Sequence, residues 1–302
     1  MSTQERPFEL AIISGKGGAG KTTVCAAFAT LAENAVLADC DVDAPDLHLI
    51  LEPDIKETEA FFGLQLAQID PEACTNCGIC RQHCRFEAIT EQNTIVKESC
   101  EGCGVCGLVC PENAITLVDR QAGELFISET RAGPFVHARL FPGEESSGKL
   151  VERVRSAARL RAHKLKVKVL LLDGPPGIGC PVIATITGVD MLLIVTEPSL
   201  SGISDMKRVV EMAEHFKVPA TVLINKFDIN TENTEAIEKF CQEQKIPVIG
   251  RLPYDTTATR AMLQGLSVPE YVEKQKPVGA GLDRLLRLAW VRVLEDLRNA
   301  RG

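Results

Sequence analysis

Residues 14–23 of this 302-residue chain read Ser14-Gly15-Lys16-Gly17-Gly18-Ala19-Gly20-Lys21-Thr22-Thr23. From Gly15 the stretch matches the pattern G-x-x-x-x-G-K-[ST], between an apolar run at residues 8–13 and an alanine-rich stretch from residue 21. Glycines in such a loop let backbone N–H groups wrap phosphates, and the following helix N-terminus adds partial positive charge. The pattern predicts a strand, a phosphate-binding loop and a helix, with Lys21 on the β- and γ-phosphates and Thr22 on Mg²⁺.

The alternation of apolar runs and helical stretches continues along the chain. Further apolar runs lie at residues 35–38, 167–172, 191–195 and 220–224. Helical stretches lie near residues 203–216, 231–245 and 282–300. Continuous apolar strands separated by helices are typical of a parallel sheet that is covered on both faces. We therefore expect an α/β fold built on a doubly wound, mostly parallel sheet.

Eight of the twelve cysteines lie within residues 74–110, in two runs of identical spacing. Both runs follow C-x₂-C-x₂-C-x₃-C, and each cysteine of the first run recurs 26 positions later. The first run is Cys74, Cys77, Cys80 and Cys84, and the second is Cys100, Cys103, Cys106 and Cys110. A repeat this regular predicts two copies of one unit packed about a pseudo-twofold axis.

This spacing resembles that of bacterial two-cluster ferredoxins, in which the fourth cysteine of each run binds the other cluster. The resemblance implies two [4Fe-4S] clusters. One would be held by Cys74, Cys77, Cys80 and Cys110, and the other by Cys100, Cys103, Cys106 and Cys84. The sequence departs from the ferredoxin pattern in one place, because Arg85 rather than proline follows Cys84. Zinc is the alternative, but it usually takes two separated C-x₂-C pairs, whereas cysteines at steps of three suit one face of a cubane.

The cysteine-rich stretch is predicted to be a small ferredoxin-like α+β domain inserted into the α/β domain. Between residues 66 and 119 it carries eight acidic and three basic side chains, which is −5 of the chain's net charge of −8. We place the first part of the nucleotide-binding domain at residues 1–66, the insert at residues 67–119 and the second part at residues 120–302.

The lysine directly after the first glycine points to a family. The string at residues 14–23 resembles the deviant Walker A motif of the MinD/Mrp superfamily of SIMIBI-type P-loop ATPases. In that family the extra lysine contacts nucleotide phosphates, typically from the other subunit of a dimer. The resemblance therefore implies a homodimer in which Lys16 acts across the interface. It assigns nucleotide contacts to Gly15, Gly17, Gly18, Ala19, Gly20, Lys21, Thr22 and Thr23.

Acidic residues at the ends of two predicted strands extend this resemblance. Asp39 and Asp41 match the family's switch I position, and Asp41 is predicted to orient the attacking water or to bind Mg²⁺ through water. Asp173 ends an apolar run and begins Asp-Gly-Pro-Pro-Gly, which resembles the family's switch II. An acid in this place suits an outer-sphere Mg²⁺ ligand beside a turn that senses the γ-phosphate.

Two further motifs concern the nucleotide base. Residues 225–228, Asn-Lys-Phe-Asp, formally match the N-K-x-D guanine reader of GTPases, in which Asp228 would accept two hydrogen bonds from guanine. The family that the chain resembles uses mainly ATP, its equivalent of Asn225 contacts adenine, and Pro253 resembles its loop beside the base. ATP is therefore favoured over GTP, and Lys226 joins these residues as a candidate for nucleotide binding.

Composition limits the partners and the compartment that we expect. A net charge of −8 argues against non-specific binding to nucleic acid. The first nine residues are polar and no run of about 18 apolar residues exists, so we expect no secretion signal, no integral membrane segment and a cytoplasmic location. The acidic insert predicts a redox or cofactor-assembly partner with a basic docking surface.

Together these patterns predict an ATPase that couples nucleotide state to electron transfer, or to delivery of an iron–sulfur cluster or metallocofactor. The predicted catalytic residues are Lys16, Lys21, Asp39, Asp41 and Asp173. The alternative is a MinD/ParA-like positioning ATPase that uses the insert as a redox sensor or docking module. An amidoligase of the cobyrinate or dethiobiotin synthase type shares the fold, but the cobyrinate enzymes generally need an appended glutaminase domain. Cys25, Cys40 and Cys241 are predicted to be core residues. Cys180, close to switch II, stays undecided, and in a dimer it could be a ligand of an accessory metal or of a transferable cluster.

Overall fold

The computed structural model describes residues 6–276 and 281–299, and within those ranges it forms one sheet of nine strands. The strands are β1 (Phe8–Ser14), β2 (Ala35–Asp39), β3 (Asp54–Ile69), β4 (Ile115–Thr130), β5 (Gly133–Leu140), β6 (Val169–Pro176), β7 (Met191–Thr196), β8 (Ala220–Asn225) and β9 (Val248–Leu252). The helices are α1 (Lys21–Leu31), α2 (Leu47–Leu51), α3 (Ile79–His83), α4 (Val105–Leu108), α5 (Ser147–Leu165), α6 (Cys180–Ile186), α7 (Leu200–His215), α8 (Thr231–Glu243), α9 (Thr256–Met262), α10 (Val268–Gln275) and α11 (Gly281–Asn299).

The strands lie in the order β3-β4-β5-β2-β6-β1-β7-β8-β9. From β5 to β9 every neighbouring pair is parallel, whereas β4 runs antiparallel to both β3 and β5. The prediction of a mostly parallel α/β sheet is confirmed. Because parallel strands share one direction, the loops after β1, β2, β6, β7 and β8 all lie at the same edge of the sheet, which we call the carboxyl edge.

Helices cover both faces of the sheet, as the continuous apolar strands predict. On one face the buried side chains come from α5, α6, α7 and α8, and on the other from α1, α2, α9, α10 and α11. The ring centroid of Phe28 in α1 lies 5.0 Å from that of Trp290 in α11, so the last helix packs against the sheet domain. No helix in the described ranges has the length and apolar character to cross a bilayer.

The cysteine-rich segment is carried on a long antiparallel ribbon formed by β3 and β4. Ile69 pairs with Ile115 at the tip of the ribbon, and residues 70–114 fill the gap between the two strands. β5 stops at Leu140, opposite Gly123, so the ribbon runs past the end of its neighbour for about eight residues, or roughly 25 Å. This extension leaves the sheet at the carboxyl edge. The insert boundaries that we predict after residues 66 and 119 fall inside β3 and β4.

Candidate functional site

Two glycines shape the loop between β1 and α1. Gly18 and Gly20 have φ values of +82° and +94°, in the left-handed region that L side chains rarely adopt. A Cβ at Gly20 would also lie 2.2 Å from Nδ2 of Asn225, at the end of β8. Helix α1 begins at the next residue, Lys21. The loop therefore presents backbone N–H groups and a helix N-terminus at the carboxyl edge, an arrangement suited to anions.

Three carboxylates surround the ammonium group of Lys21. Its Nζ donates to Oδ1 of Asp173 at 2.9 Å and lies 3.8 Å from Oδ2 of Asp41. Burial works against protonation of Lys21, but Asp173, Asp39 and Asp41 together hold its pKa above the ordinary value. The lysine is thus fixed as a cation at the loop. The structure brings together these predicted residues from β2, β6 and α1.

The two switch I acids differ in exposure. Asp39 is fully buried, and its carboxylate accepts hydrogen bonds from the backbone N–H of Asp41 at 3.0 Å and of Leu47 at 3.3 Å. Burial, with Asp173 adding to it, raises the pKa of Asp39 well above its usual range. The side chain of Asp41 is 15% exposed, and burial raises its pKa to about 6, with Lys21 opposing the rise. Asp41 is therefore partly accessible to solvent, whereas the Asp39 carboxylate is buried and bonded to the backbone of the loop that follows β2.

Lys16 lies against its own chain in this structure. Its Nζ is 2.6 Å from Oε1 of Glu197, and it donates at 3.1 Å to the hydroxyls of Ser199 and Ser201, which lie after β7. The other carboxylate oxygen of Glu197 accepts from Lys226 at 2.9 Å. Lys16 and Lys226 hold the pKa of Glu197 low although burial would raise it.

Glu197 is a site residue that our reading of the sequence missed. It follows Thr196, the last residue of an apolar parallel strand, and an acid in that place is the signal that could have found it. Its two partners, Lys16 and Lys226, are far from it in the sequence, so no local pattern predicts the contacts.

A cavity of about 240 Å³ opens beside the phosphate loop. Residues of the loop, of α9 and of the two segments that follow β8 and β9 line it, including Gly20, Asn225, Lys226, Pro253 and Tyr254. Nδ2 of Asn225 donates to the carbonyl oxygen of Ala19, and Nζ of Lys226 donates to that of Gly18, both at 2.9 Å. The predicted base-site residues Asn225, Lys226 and Pro253 thus meet at one cavity.

Asp228 is used differently from the other base-site candidates. Its Oδ1 accepts a hydrogen bond from the backbone N–H of Tyr254 at 2.7 Å. This bond joins the segment after β8 to the segment after β9, and Asp228 itself is not among the described residues that line the cavity. In the guanine reader of GTPases this residue would instead accept two hydrogen bonds from the base.

The eight clustered cysteines divide into two groups of four, each lining its own small cavity. We name the two cavities site A and site B. Site A is lined by Cys74, Cys77, Cys80 and Cys110. Site B is lined by Cys84, Cys100, Cys103 and Cys106. In each site three cysteines come from one run and the fourth comes from the other run. Residues 70–114, between β3 and β4, supply all eight.

The two sites have equivalent backbone contacts. The N–H of Ala114 donates to Sγ of Cys110 at 3.3 Å, and the N–H of Ala88 donates to Sγ of Cys84 at 3.4 Å. These two pairs are related by the 26-residue repeat. Backbone N–H groups that donate to a metal-bound sulfur stabilise the negative charge on it. Burial raises the pKa of the free Cys80 and Cys106 thiols.

In the described part of the chain, no three of the histidine, cysteine, aspartate and glutamate side chains converge as they would around a single metal ion. The four thiols at each cysteine site line a cavity instead. A cubane takes one cysteine at each of four corners, so each site has the number of thiols that one cubane would need.

The four remaining cysteines lie apart from these sites. Cys25, Cys40 and Cys241 are buried, which confirms the prediction that they are core residues. Cys180 is exposed at the start of α6, after the turn that follows Asp173.

Comparison with known proteins shows the protein family to which the chain belongs. Residues 10–268 match the family described as the CobQ/CobB/MinD/ParA nucleotide binding domain. An uncharacterised protein of Methanocaldococcus jannaschii is 37% identical over 229 residues, which cover 74% of this chain and 80% of the relative. An uncharacterised ATP-binding protein of the same organism is 25% identical over 276 residues, covering 85% of this chain and 78% of the relative.

Solved structures share the fold at low sequence identity. The septum site-determining protein MinD from Pyrococcus horikoshii, complexed with Mg-ADP, superposes with a TM-score of 0.57 at 17% identity and covers 94% of both chains. The ATP complex of Cyanothece McdA superposes with a TM-score of 0.54 at 16% identity, covering 99% of this chain and 97% of that chain. At these sequence identities the likeness shows a shared fold.

Proposed function

Since the chain belongs to the CobQ/CobB/MinD/ParA nucleotide-binding family, we propose that it is an ATP-hydrolysing dimeric switch. The switch couples nucleotide state to electron transfer, or to delivery of an iron–sulfur cluster or metallocofactor, through two [4Fe-4S] clusters. One observation carries the proposal: eight cysteines in two groups of four are held on a ribbon that leaves the sheet at the edge bearing the phosphate loop.

The nucleotide half of the proposal assigns roles by position. Lys21 would bind the β- and γ-phosphates, Thr22 would bind Mg²⁺, and Asp173 would act as its outer-sphere partner. Asp41, the more exposed switch acid, would orient the attacking water. Lys21 pairs with Asp173 and lies 3.8 Å from Asp41, so the residues that would hold Mg²⁺ and the phosphates lie in one cluster.

The residues at the base cavity favour adenine over guanine. Asn225 and Pro253 line the cavity, whereas Asp228 is not among the described residues that line it. Nδ2 of Asn225 donates to Ala19 and its Oδ1 accepts from the N–H of Lys226, so one proton and one lone pair of the amide remain for the adenine edge. We therefore assign ATP as the nucleotide.

The cluster half of the proposal uses the eight cysteines as ligands. Cys74, Cys77, Cys80 and Cys110 would hold one cubane, and Cys84, Cys100, Cys103 and Cys106 the other. When bound, each cluster supplies one-electron redox chemistry. The protein supplies the thiolates, one backbone N–H to the fourth sulfur of each set, and an acidic surface that suits a basic partner.

A chain of contacts joins the switch acids to the ribbon. Asp39 accepts from the N–H of Leu47, the first residue of α2. The carbonyl oxygens of Ile50 and Leu51, at the other end of this short helix, accept from Arg131 at 2.6 and 3.0 Å. Arg131 lies in the turn between β4 and β5, and β3 begins three residues after Leu51. A nucleotide that moves switch I would thus act on both strands of the ribbon.

Anaerobic purification with iron and sulfide analysis tests the clusters, and electron paramagnetic resonance with and without Mg-ATP tests the coupling. We expect about eight iron atoms per chain and a spectrum that changes with ATP but not in Lys21→Ala, which keeps its iron. Little or no iron would overturn the cluster assignment. Full iron with identical spectra and identical reoxidation rates in ATP, ADP and no nucleotide would overturn the coupling.

A MinD/ParA-like positioning ATPase is the second candidate, and the structural likeness to MinD and McdA favours it. In this case the cysteine segment would be a redox sensor or docking module. Nucleotide-dependent localisation in cells that survives replacement of Cys77 and Cys103 by serine would support this function over electron transfer.

A further inference from the structure

Sites A and B are related by the 26-residue repeat, but their linings differ. Thr75, Asn93 and Glu112 line site A beside its cysteines. Phe86, Ile95, Val105 and Glu101 line site B, together with the smaller apolar residue Ala67. Both sites also have an alanine and an isoleucine in equivalent positions, Ala114 and Ile115 in site A and Ala88 and Ile89 in site B. The clearest exchange is at one repeat position, where Phe86 in site B corresponds to Glu112 in site A.

Formal charge does not separate the two sites. Each cavity is lined by one carboxylate among the described residues, Glu112 in site A and Glu101 in site B. Each also has one arginine close by. Nη2 of Arg81 lies 3.8 Å from where a Cβ on Gly78 would stand in site A, and Arg85 directly follows Cys84 of site B. The two linings differ instead in their neutral side chains: Thr75 and Asn93 can donate hydrogen bonds in site A, whereas Phe86 and Ile95 are apolar in site B.

Site A holds the amide donor. Nδ2 of Asn93 donates to Oδ1 of Asn76 at 2.7 Å, and this uses only one of its two protons. Asn76 stands next to the cysteines, since its Oδ1 is 3.9 Å from Sγ of Cys74. Both asparagines have positive φ values, 58° at Asn76 and 55° at Asn93, and Asn93 is the one of the two that lines the cavity. At site B the chain offers the Phe86 ring and the Ile95 side chain instead.

We propose that these linings give the two sites unequal reduction potentials, with site A accepting the first electron. The proposal rests on the function proposed above, because it needs both clusters. Reduction adds one negative charge to a cluster and forms or breaks no bond. Amide donors stabilise the added charge, whereas apolar walls hold back the water that would solvate it. An electron that arrives at site B would therefore pass on to site A.

A potentiometric titration of the anaerobic protein with dithionite, followed by electron paramagnetic resonance, tests the inference. We expect two one-electron steps whose reduction constants differ at least tenfold, which is 59 mV for one electron. Asn93→Gly keeps the positive φ and removes the side-chain amide. The variant should therefore lower the reduction potential of the first step and narrow the difference between the two potentials. The control is Asn113→Gly, at a φ of 52° and outside the lining of both cavities, which should leave both steps in place.

A second variant tests site B. Phe86→Thr should admit water to site B and raise the lower of the two reduction potentials, while the higher potential stays unchanged. If the parent protein takes up both electrons in a single step, the inference is overturned. It is also overturned if Asn93→Gly leaves the higher reduction potential unchanged. Iron content separates the two failures: about eight irons with one step refutes unequal potentials alone, whereas missing iron refutes the proposed clusters as well.

Discussion

Glu9 is a buried carboxylate far from the nucleotide loop. Two guanidinium groups enclose it: Arg155 donates at 3.1 Å, and Arg159 donates at 2.6 and 2.8 Å. Glu9 and Arg155 are each less than a twentieth exposed. Burial alone would raise the pKa of Glu9, but Arg159 and Arg155 hold it below its ordinary value. This ion group fastens β1 to α5, and with them the strand that leads into the phosphate loop.

We expect Glu9→Gln to lower the free energy of unfolding by about 3 kcal/mol, because it leaves Arg155 buried without a counter-charge. Urea denaturation at neutral pH measures the effect. The matched control is Glu124→Gln, whose partner Arg139 is 63% exposed, and for that exposed pair we expect a loss below about 1 kcal/mol. Equal losses in the two variants would contradict the role given to burial.

His137 makes stability depend on pH. Its ring stacks on Phe135 with centroids 4.6 Å apart, and its Nε2 lies 3.1 Å from Oγ of Ser128. Burial, with His48 adding to it, lowers the pKa of His137 to about 4. An unfolded chain binds a proton at this residue near pH 6.5, so the folded state loses stability as the pH falls from about 6.5 to 4 and keeps it above that range.

The loss attributable to His137 should reach about 3 kcal/mol over that interval. Urea denaturation of the parent protein and of His137→Gln at pH 7 and at pH 5 measures it. We expect the variant to lose less stability than the parent between these two pH values. Parallel losses would show that another group carries the dependence.

Elements differ in how far the sequence predicts them. β1, β2, β6, β7 and β8 are predicted within a few residues, because a strand buried on both faces is a continuous apolar run. β3 escapes prediction, since residues 54–60 are exposed and include Lys56, Glu57 and Glu59. Only its pairing with β4 makes this polar segment a strand, and pairing between distant segments leaves no local pattern.

The turn between β4 and β5 is the element that we expect to transmit nucleotide state. Arg131 donates to three backbone carbonyls, those of Ile50, Leu51 and Gly265, and it also pairs with Glu270 in α10. Arg131→Lys keeps the charge but cannot span these acceptors, because a lysine presents one point of donors rather than a planar fork. The variant should bind ATP and iron as the parent does, while the ATP-dependent change in the cluster spectrum falls severalfold.

A matched control for this variant lies on the neighbouring strand. Arg139→Lys in β5 changes an exposed pair with Glu124, and the spectral response to ATP should stay as in the parent. If ATP changes the cluster spectrum of Arg131→Lys as much as that of the parent, the turn between β4 and β5 does not transmit nucleotide state. Iron analysis and nucleotide titration on the same samples distinguish lost coupling from lost folding.

At the scale of the whole molecule, the resemblance of the cysteine spacing to that of two-cluster ferredoxins predicts which thiols share a site, whereas the position of the insert depends on the sheet. The crossed grouping is what this resemblance implies, since the repeat alone is equally compatible with four cysteines of one run at each site. The projection past β5 depends instead on where β5 ends, at Leu140, relative to β4. Strand register of this kind follows from tertiary pairing, so the acidic segment's place at the carboxyl edge emerges only in the folded chain.

The phosphate loop and the switch acids lie at the carboxyl edge, and the ribbon leaves the sheet there. The oligomeric state therefore depends on whether a second copy faces this edge. A second copy facing this edge would bring its own Lys16 to the bound phosphates. In the single chain Glu197 holds Lys16 at 2.6 Å, so dimerisation would exchange a carboxylate partner for a phosphate. With Mg²⁺ and a non-hydrolysable ATP analogue, we expect the 32.8 kDa chain to double in mass by light scattering.

Lys16→Ala should remain a monomer under those conditions while still binding the analogue, because Lys21 and the loop backbone contact the nucleotide within one chain. The control is Lys56→Ala, an exposed lysine on β3 that pairs with Asp54, which should dimerise as the parent does. A Lys16→Ala protein that doubles in mass at the same analogue concentration would contradict a role across the interface. Dimerisation by contact between the two ribbons alone would then explain the parent's mass, since the ribbons do not depend on Lys16.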